Sequence, residues 1–354
     1  VVRAVVMVGP CPDAQGGMAS VVSVYRANGL FTSGDCVYLT TATEGKGFKK
    51  LLTALLAVMR FFLLLRKGQV ALLHVHGASH ASFWRKLVFM RLADIFTVPV
   101  LFHLHGGEFR QFVDERSGKH ARRYVINTLG SCALILCLNE EIRVWLQAML
   151  PNVAVQVMPN PIDLRVHTQS SFPRGPRILF MGRLEREKGV FDLVEAFAAI
   201  AHQVPHCQLI LCGTGSAKNG LEKCAAQKGI TSQVSFPGWV DGDAKDTLLR
   251  QAGVFVLPSY AEGMPMAILE SMAARTPVVA TRVGAIADML ESGASGYIVE
   301  PGDIGMLADA IARALTNTDA THAMTQRAWA RVQSRYAADV VLSRLRQAYT
   351  ALSA

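Results

Sequence analysis

Short runs of apolar residues alternate along the chain with longer stretches in which apolar positions recur every three or four residues. Continuous apolar runs are typical of parallel strands buried on both faces, and the longer stretches are typical of the helices that connect them. The pattern predicts an α/β fold with two doubly wound sheets. The predicted strands are Val2–Val8, Ala71–Val75, Val98–Leu104, Cys132–Leu138, Val153–Met158, Arg177–Met181, Cys207–Leu211, Val234–Phe236, Val254–Leu257, Pro277–Ala280 and Tyr297–Val299.

A segment without predicted strands interrupts this series between Asn160 and Gly175. Within it, NPID and SSFPRGP are rich in proline, serine and glycine. Such composition is typical of a connection between domains. We therefore predict one domain over residues 1–165 and a second over residues 171–336. The 354 residues also suffice for two domains of roughly 150 residues each.

Composition excludes several classes of protein. With 51% hydrophobic and 18% charged residues, the chain is not a disordered or low-complexity protein. Its seven cysteines are odd in number and lack the spacing of a disulfide framework, which indicates buried thiols in a reducing compartment. The first residues, VVRAVVMVG, have no basic lead before the apolar stretch, so a secretory signal peptide is not expected.

The positive charge is concentrated in the first half of the chain. Residues 1–170 contain 18 Lys and Arg against 10 Asp and Glu, whereas residues 171–354 contain 18 against 17. A basic half indicates an anionic partner, with a membrane phospholipid or lipid phosphate favoured over a merely solvated face. Basic and aromatic residues are not interleaved as they are in nucleic-acid-binding proteins, so no nucleic-acid partner is expected.

The segment Leu51–Leu65 is the most apolar part of the chain. Fifteen residues are too few to span a bilayer, and Arg60 stands in the middle. Basic residues flank it on both sides. Two interpretations therefore stay open: a helix that lies in the membrane interface, and a crossover helix buried on the first sheet.

Ligands of doubly wound folds bind at the loops that follow the strands. In the first half, Gly16 and Gly17 come just before a predicted helix, where backbone without a Cβ atom suits a phosphate or a sugar hydroxyl. A simple turn explains them equally well. His105 ends the strand Val98–Leu104 and is followed by two glycines, which exposes it to the expected site; a structural histidine is the alternative.

In the second half, the loop GRLEREKG places Arg183 and Lys188 five residues apart at the start of a helix, where two cations neutralise a diphosphate. Gly213 follows the next strand. Trp239 and Val240 follow the one after that. The sequence DGD at residues 241–243 resembles a metal-binding DxD, but we interpret it as a helix N-cap, and no metal ligand is predicted.

The segment EGMPMAILESMA carries the strongest pattern. Glu262 and Glu270 are separated by seven residues, with a helix starting between them. Their carboxylates are then offset by roughly 8 Å or more, which spans the two sugars of a nucleotide sugar. Carboxylates accept hydrogen bonds from hydroxyl pairs. The amides near the helix start are expected to face phosphates, namely those of Gly263, Met264 and Met266.

Together these motifs resemble glycosyltransferase family 4, whose members are retaining enzymes of the GT-B fold. EGMPMAILESMA is similar to the E-x7-E signature of the family, and GRLEREKG is similar to its phosphate-binding pair. The segments NPID, GTG, FPGWV and TPVVATRVG follow in the family's order. The resemblance implies two Rossmann-like domains facing each other across a cleft, with the helix at about 337–354 packing back on the first.

The resemblance also implies roles for the second domain, which would bind a nucleotide sugar. Arg183 and Lys188 would hold the diphosphate, Glu270 the ribose, and Glu262 the transferred sugar near its 3-hydroxyl. The loop at Gly238–Val240 would frame the base.

In the first domain, His105 would contact the 6-hydroxyl of the donor sugar, and Gly16 and Gly17 would lie beside the phosphate or the acceptor. The expected catalytic set is Glu262, Arg183, Lys188 and His105, without a metal or other cofactor.

The resulting expectation is a retaining hexosyltransferase that is peripheral on the cytoplasmic face of the plasma membrane. It would transfer a hexose from a nucleotide sugar, UDP-hexose rather than GDP-mannose, to a lipid-linked saccharide in exopolysaccharide synthesis. Three alternatives stay open: the same fold with a soluble acceptor, a sugar-nucleotide epimerase, and a non-catalytic scaffold that only binds sugar nucleotides. Glycosylation of DNA would also explain the positive charge.

Overall fold

The computed structural model describes residues 3–32, 34–43, 47–165, 174–204, 206–316 and 318–353. The chain forms two compact units. Unit 1 comprises Val1–Asp163 and Tyr336–Ala354, and unit 2 comprises Leu164–Arg335. Most of the segment SSFPRGP lies outside the described residues.

Unit 1 contains a six-stranded parallel sheet of order β2-β1-β3-β4-β5-β6, with helices between successive strands. Its elements in chain order are β1 (Ala4–Pro10), α1 (Gly17–Ala27), β2 (Cys36–Ala42), α2 (Gly47–Arg66), β3 (Val70–Gly77), α3 (Ala81–Ile95), β4 (Val100–Leu104), α4 (Phe109–Asp114), α5 (Lys119–Gly130), β5 (Leu134–Cys137), α6 (Glu140–Met149) and β6 (Ala154–Val157).

Unit 2 contains a second six-stranded parallel sheet, of order β12-β11-β10-β7-β8-β9. Its elements are β7 (Arg177–Met181), α7 (Val190–Ile200), β8 (Gln208–Cys212), α8 (Lys218–Gln227), β9 (Val234–Gly238), α9 (Gly242–Gln251), β10 (Val254–Leu257), α10 (Met266–Ala273), β11 (Val278–Thr281), α11 (Ile286–Met289), β12 (Tyr297–Val299), α12 (Ile304–Thr316) and α13 (Thr318–Arg331). The predicted α/β class with two doubly wound, Rossmann-like sheets is confirmed.

All eleven predicted strands are present, with ends that differ by at most two residues from the prediction. One strand was missed, β2 at Cys36–Ala42. It is an edge strand in which only Cys36, Leu39 and Thr41 are buried, and two of its residues are threonines. Partly buried and polar positions interrupt it, so its sequence lacks the continuous apolar run by which buried parallel strands are recognised.

The last helix, α14 (Ala338–Ser353), belongs to unit 1 although it follows unit 2 in the chain. The chain re-enters unit 1 beside the end of its first passage, where Ile162 and Ala337 form a parallel bridge. Farther along, Arg344 donates a hydrogen bond to the Val157 carbonyl at 2.7 Å, and Tyr349 reaches the buried ring of His74. The helix therefore closes one face of the first sheet.

The cysteines are free thiols, and five of the seven are buried, as expected. Cys11 and Cys224 differ from the expectation, because both are only partly buried. Burial raises the pKa of Cys36 and of Cys132 to about 12, so these two thiols are inert at neutral pH.

Candidate active site

The strand order of unit 2 reverses between β7 and β10, which are neighbours in the sheet although β8 and β9 lie between them in the chain. Such a switch point leaves a crevice outside the carboxyl ends of the two strands. The loops that begin there are residues 182–189 after β7 and residues 258–265 after β10. These are the loops that contain Arg183, Lys188 and Glu262.

Lys188 and Glu262 form an ion pair at this switch point. The Lys188 Nζ lies 2.7 Å from Glu262 Oε1, and their side chains are only 16% and 13% exposed. The Ser259 hydroxyl donates a second hydrogen bond to the same carboxylate oxygen, at 2.8 Å. A carboxylate and an ammonium group are thus held together, with Glu262 oriented from two sides.

Two glycines let the backbone approach this pair closely. Gly189 has φ +63°, and a Cβ atom there would lie 2.0 Å from the Pro258 carbonyl oxygen. Gly284 has φ +54°, and its Cβ atom would lie 2.1 Å from the Glu262 carbonyl oxygen. Neither position accommodates another residue without moving the backbone. Gly189 therefore permits the close approach of the lysine loop to the glutamate loop, and Gly284 permits the loop after β11 to pack on the backbone of Glu262.

Arg183 lies in the same loop as Lys188 but has a different partner. Its guanidinium contacts Glu187 at 2.6 Å, and its side chain is 64% exposed. Arg186, between them in sequence, stacks over the Phe191 ring at 4.5 Å. Of the three cations in this loop, Lys188 is the one that meets a carboxylate of the E-x7-E segment.

Glu270, the second carboxylate of that segment, is the fifth residue of α10 and is buried. It is paired with Lys245 of α9, whose Nζ lies 2.7 Å from Glu270 Oε1. The sequence analysis did not single out Lys245. Lys245 could have been recognised in the sequence, because it lies one helical turn beyond the DGD segment, on the helix that follows Trp239 and Val240.

Helix α10 begins between Glu262 and Glu270, as the sequence analysis expected. Pro265 is the N-cap residue and Met266 the first helical residue, so Gly263 and Met264 lie in the loop before the helix. The Gly263 carbonyl accepts a hydrogen bond from the Ala285 amide at 2.8 Å. The first helical amides have no intrahelical partner, which leaves positive partial charge at this end.

Gly213 connects the loops at the ends of β7, β8 and β9. It has φ +148°, and a Cβ atom would lie 1.8 Å from the Gly182 carbonyl oxygen. Its amide donates a 2.7 Å hydrogen bond to the Gly238 carbonyl, directly before the partly buried Trp239 and Val240.

Asp241, the first residue of DGD, occupies the N-cap position of α9 as predicted. However, its side chain makes no capping hydrogen bond. The N-cap position was therefore predicted correctly, but the capping hydrogen bond expected of an aspartate at that position is not made.

In unit 1, Gly16 is the N-cap residue of α1 and Gly17 is its first residue. Gly16 has φ +132°, a conformation that favours glycine, and a Cβ atom there would meet nothing within 4 Å. Space therefore remains open beside this helix start. Because residues with a side chain avoid this φ, the glycine is required by the backbone itself and not by crowding.

His105 follows β4 directly and is held by a neighbouring histidine. Its Nε2 lies 2.7 Å from the Nδ1 of His76, and its amide donates to the Gly77 carbonyl at 2.9 Å. Burial lowers the pKa of His105 to about 4, although hydrogen bonding with Asn160 raises it in part. The ring is therefore neutral at neutral pH, so it can make hydrogen bonds but carries no positive charge.

The sequence analysis missed three further histidines. His74, His76 and His103 lie beside His105 on the same two strands, and all three are fully buried. Burial, with the neighbouring imidazoles, holds the pKa of each well below its usual range. The signal was the repeated pattern H-x-H at the ends of consecutive strands, in HVHG and HLHG.

We predict that replacing Lys188 by methionine lowers the free energy of unfolding by about 1–3 kcal/mol, because Glu262 loses a mostly buried charged partner. Arg183→Met serves as the control. Its pair with Glu187 is largely exposed, so the expected change is within about 0.5 kcal/mol. Denaturant unfolding of both variants measures the difference. Equal losses would contradict the assignment of Lys188 and Glu262 as a buried pair.

Comparisons with known proteins support one family over most of the chain. Residues 14–166 match the Glycosyltransferase Family 4 domain, and residues 167–331 match the domain of Glycosyl transferases group 1. The chain is 26% identical to the alpha-D-kanosaminyltransferase of Streptomyces kanamyceticus, over 78% of this chain and 76% of that protein. It is 30% identical to the phosphatidyl-myo-inositol mannosyltransferase of Mycobacterium leprae, over 60% of this chain and 58% of that protein.

A solved structure shows the same fold. Anabaena HepE, in complex with UDP and glucose, superposes with a TM-score of 0.78 at 17% sequence identity, covering 99% of this chain and all of that one. The architecture is thus that of GT-B glycosyltransferases. The two matching domains and the related transferases establish that this chain belongs to glycosyltransferase family 4 and is a glycosyltransferase of the hexosyl-transferring type.

Proposed function

We propose that this chain is a retaining hexosyltransferase that takes a hexose from a nucleotide sugar, a UDP-hexose in preference to GDP-mannose. Its acceptor would be a lipid-linked saccharide in the synthesis of exopolysaccharide or another cell-surface glycan. The enzyme would act on the cytoplasmic face of the plasma membrane as a peripheral protein. The observation that carries the proposal is the Lys188–Glu262 pair at the switch point of unit 2, together with the Lys245–Glu270 pair between α9 and α10.

Each group suits one part of a nucleotide sugar. Glu262 would accept hydrogen bonds from hydroxyls of the transferred hexose, and Glu270 from those of the ribose. Lys188 would contact the diphosphate, joined by Arg183, whose exposed side chain is free to turn toward it. The start of α10 would add its positive partial charge. The choice of UDP is supported by HepE, whose solved complex contains UDP and glucose.

In the proposed reaction, the bond between the anomeric carbon and the diphosphate oxygen breaks, and the diphosphate leaves with the electron pair. Lys188 and Arg183 stabilise the charge that develops on it. The acceptor hydroxyl attacks from the same face, and its proton passes to the departing phosphate oxygen. His105, neutral at neutral pH, would hydrogen-bond the 6-hydroxyl of the donor sugar. The positive side chains and the helix start fill the role that a metal has in other transferases, so no added metal is expected to be needed.

We predict that one nucleotide family stabilises the protein in a thermal-shift panel of UDP, GDP, ADP and their hexose conjugates, without added metal. A ligand at 100 times its Kd adds about 2.7 kcal/mol, which raises Tm by roughly 5–10 °C for domains of this size. A shift with the uridine compounds supports a UDP-hexose donor. A shift with GDP-mannose alone would contradict that choice, and no shift with any nucleotide would favour the non-catalytic scaffold.

We predict that Glu262→Ala lowers kcat by about 10²–10³-fold, the effect of removing one charged contact to the reacting sugar. The thermal shift by the free nucleoside diphosphate should persist, because Glu262 contacts the hexose. Glu195→Ala is the matched control, since its carboxylate pairs with Lys228 on the surface of the same unit. Wild-type-like kcat in Glu262→Ala would contradict the role. Donor consumption without any acceptor would point to an epimerase.

The lipid part of the proposal rests on helix α2, which has apolar residues on two faces. Its inner face, with Ala57, Phe61 and Leu65, is buried in the core of unit 1. The outer residues recur at intervals of three and four and are 38% to 79% exposed. We call this set the α2 apolar face: Phe48, Leu51, Leu52, Leu55, Leu56, Met59, Phe62 and Leu63. The buried inner face agrees with a crossover helix on the first sheet, and the exposed outer face supports the proposed position in a membrane interface.

Positively charged side chains lie on the same helix as the α2 apolar face or directly after it. Lys50, Arg60, Arg66 and Lys67 are exposed on or directly after the helix, and residues 47–67 contain no Asp or Glu. An apolar stripe bordered only by cations suits the interface of a membrane with anionic lipids. Among the described residues, no helix has both the length and the apolarity that crossing a bilayer would require. The mannosyltransferase relative named above has a lipid, phosphatidyl-myo-inositol, in its name.

We predict that the protein floats with vesicles containing anionic phospholipid at low salt and that Leu55→Glu with Met59→Glu lowers the partition coefficient about 30-fold or more. Both side chains are more than half exposed, so the variant keeps its fold while it loses roughly 2 kcal/mol of apolar contact. Val144→Glu is the control, because Val144 is equally exposed on α6. Absence of flotation by the wild type at low salt would favour a soluble acceptor.

A further inference from the structure

Strands β3 and β4 bring four imidazoles to one face of the first sheet. His74 and His76 alternate along β3, and His103 is the register partner of His76 on β4. Because residues two apart in a strand point to the same face, these rings lie side by side, with His105 next along. Their ring centroids are 4.4 Å apart for His74 and His76, and 5.2 Å apart for His76 and His103.

Three of the four are enclosed completely. His74, His76 and His103 have no exposed surface, and each has a ring nitrogen within 4.8 Å of such nitrogens of the other two. Tyr349 of α14 and Tyr25 of α1 are also buried against these rings. Among the described residues, this is the one group of three or more potential ligands that lies close enough to hold a metal ion.

The hydrogen bonds of the cluster leave a nitrogen of His74, of His76 and of His103 without a partner in the described chain. His74 Nδ1 is bonded to the Tyr349 hydroxyl at 2.6 Å, and His76 Nδ1 to His105 Nε2 at 2.7 Å. The Nε2 atoms of His74 and His76 make no hydrogen bond within the described chain, and the ring of His103 interacts with the Met158 backbone but keeps at least one nitrogen unpaired there. Each such buried atom costs about 1–3 kcal/mol, so a group of them indicates an additional bound species.

We infer that His74, His76 and His103 form a site for a transition-metal ion in the core of unit 1, with Zn²⁺ as the representative ion. Three imidazoles are a ligand set of zinc sites, and imidazole also suits Cu²⁺, Ni²⁺ and Co²⁺. Nitrogens bound to one zinc ion lie about 3.3 Å apart, so the rings would close by roughly 1.5 Å through side-chain rotation. This ion departs from the expectation, made from the sequence, that the protein uses no metal.

The hydrogen-bond partners of the histidine ligands are arranged as metal sites require. A histidine that binds a metal through one nitrogen usually donates its other N–H to a fixed acceptor, which sets the tautomer and the ring orientation. Tyr349 Oη serves His74 in this way, and His105 Nε2 serves His76. The ion would therefore tie α14 to the sheet and fix His105 through His76. His74, His76 and His103 are positioning residues in this scheme, since the ion takes no part in sugar transfer.

The test uses the full chain without a histidine tag, first stripped of metal with a chelator that is then removed. Zn²⁺ is titrated in competition with a chromophoric chelator, and Co²⁺ is added separately for its visible spectrum. We expect one ion per chain, a raised Tm, and the intense d–d bands of Co²⁺ in a low-coordinate nitrogen site. Less than 0.1 ion per chain, or the pale spectrum of hydrated Co²⁺, overturns the inference and indicates water at the cluster instead.

Variants separate this site from adventitious binding. His103→Gln removes a ligand that has an unpaired ring nitrogen, and should weaken Zn²⁺ binding at least about 100-fold. Tyr349→Phe removes only the group behind His74 and should weaken it about 10-fold. His120→Gln, at an exposed histidine, is the control and should change nothing. Equal binding by all three variants and the wild type overturns the inference. If His103→Gln does not fold, the wild-type stoichiometry and the Co²⁺ spectrum still decide.

Discussion

The carboxyl ends of parallel strands impose the constraint on which this molecule depends. A parallel sheet sends every strand in the same direction, so all loops that follow the strands emerge at one edge. In unit 2 the loops of β7 and β10 meet there, although about 75 residues separate Lys188 from Glu262 in sequence. Gly189 permits the close approach of these two loops that the ion pair requires. Charge is thereby concentrated where a donor would bind, and the rest of the sheet supports it.

The same constraint acts differently in unit 1. The ends of β3 and β4 carry imidazoles in place of lysines and glutamates, and helix α14 covers them. Four histidines in an apolar core carry a large desolvation cost, which keeps the rings neutral and makes their hydrogen-bond partners decisive. Through His76, this buried cluster sets the position of His105, the residue of unit 1 with an expected contact to the donor sugar. The stability of the core of unit 1 and the orientation of His105 at the end of β4 are therefore coupled.

Helix α2 shows how one segment satisfies two requirements. The face with Phe61 packs against the sheet and contacts Phe89 of α3, as a crossover helix must. The opposite face keeps large apolar side chains in contact with solvent, which a surface helix normally avoids. The helix therefore carries more apolar area than folding alone requires. A lipid surface is the partner that we propose for this face, because cations border it.

The fold class, eleven strands and the segment from Arg177 to Pro301 that resembles the family could all be recognised in the sequence. The reason is that buried parallel strands and the loops that follow them have characteristic local patterns. Glu262 and Glu270 were found in this way, since both lie in one short motif. Edge strand β2 lacked such a pattern and was missed.

Only the tertiary structure decided the partners of these residues. The pairing of Lys188 with Glu262, of Lys245 with Glu270 and of His76 with His105 joins loops or strands that are distant in the chain. It also supplied the contacts by which α14 joins unit 1, such as the one between Tyr349 and His74. Local sequence patterns report the period and burial of one element at a time. Contacts between elements depend on the order of the strands in each sheet, and the local pattern of a single segment does not specify that order.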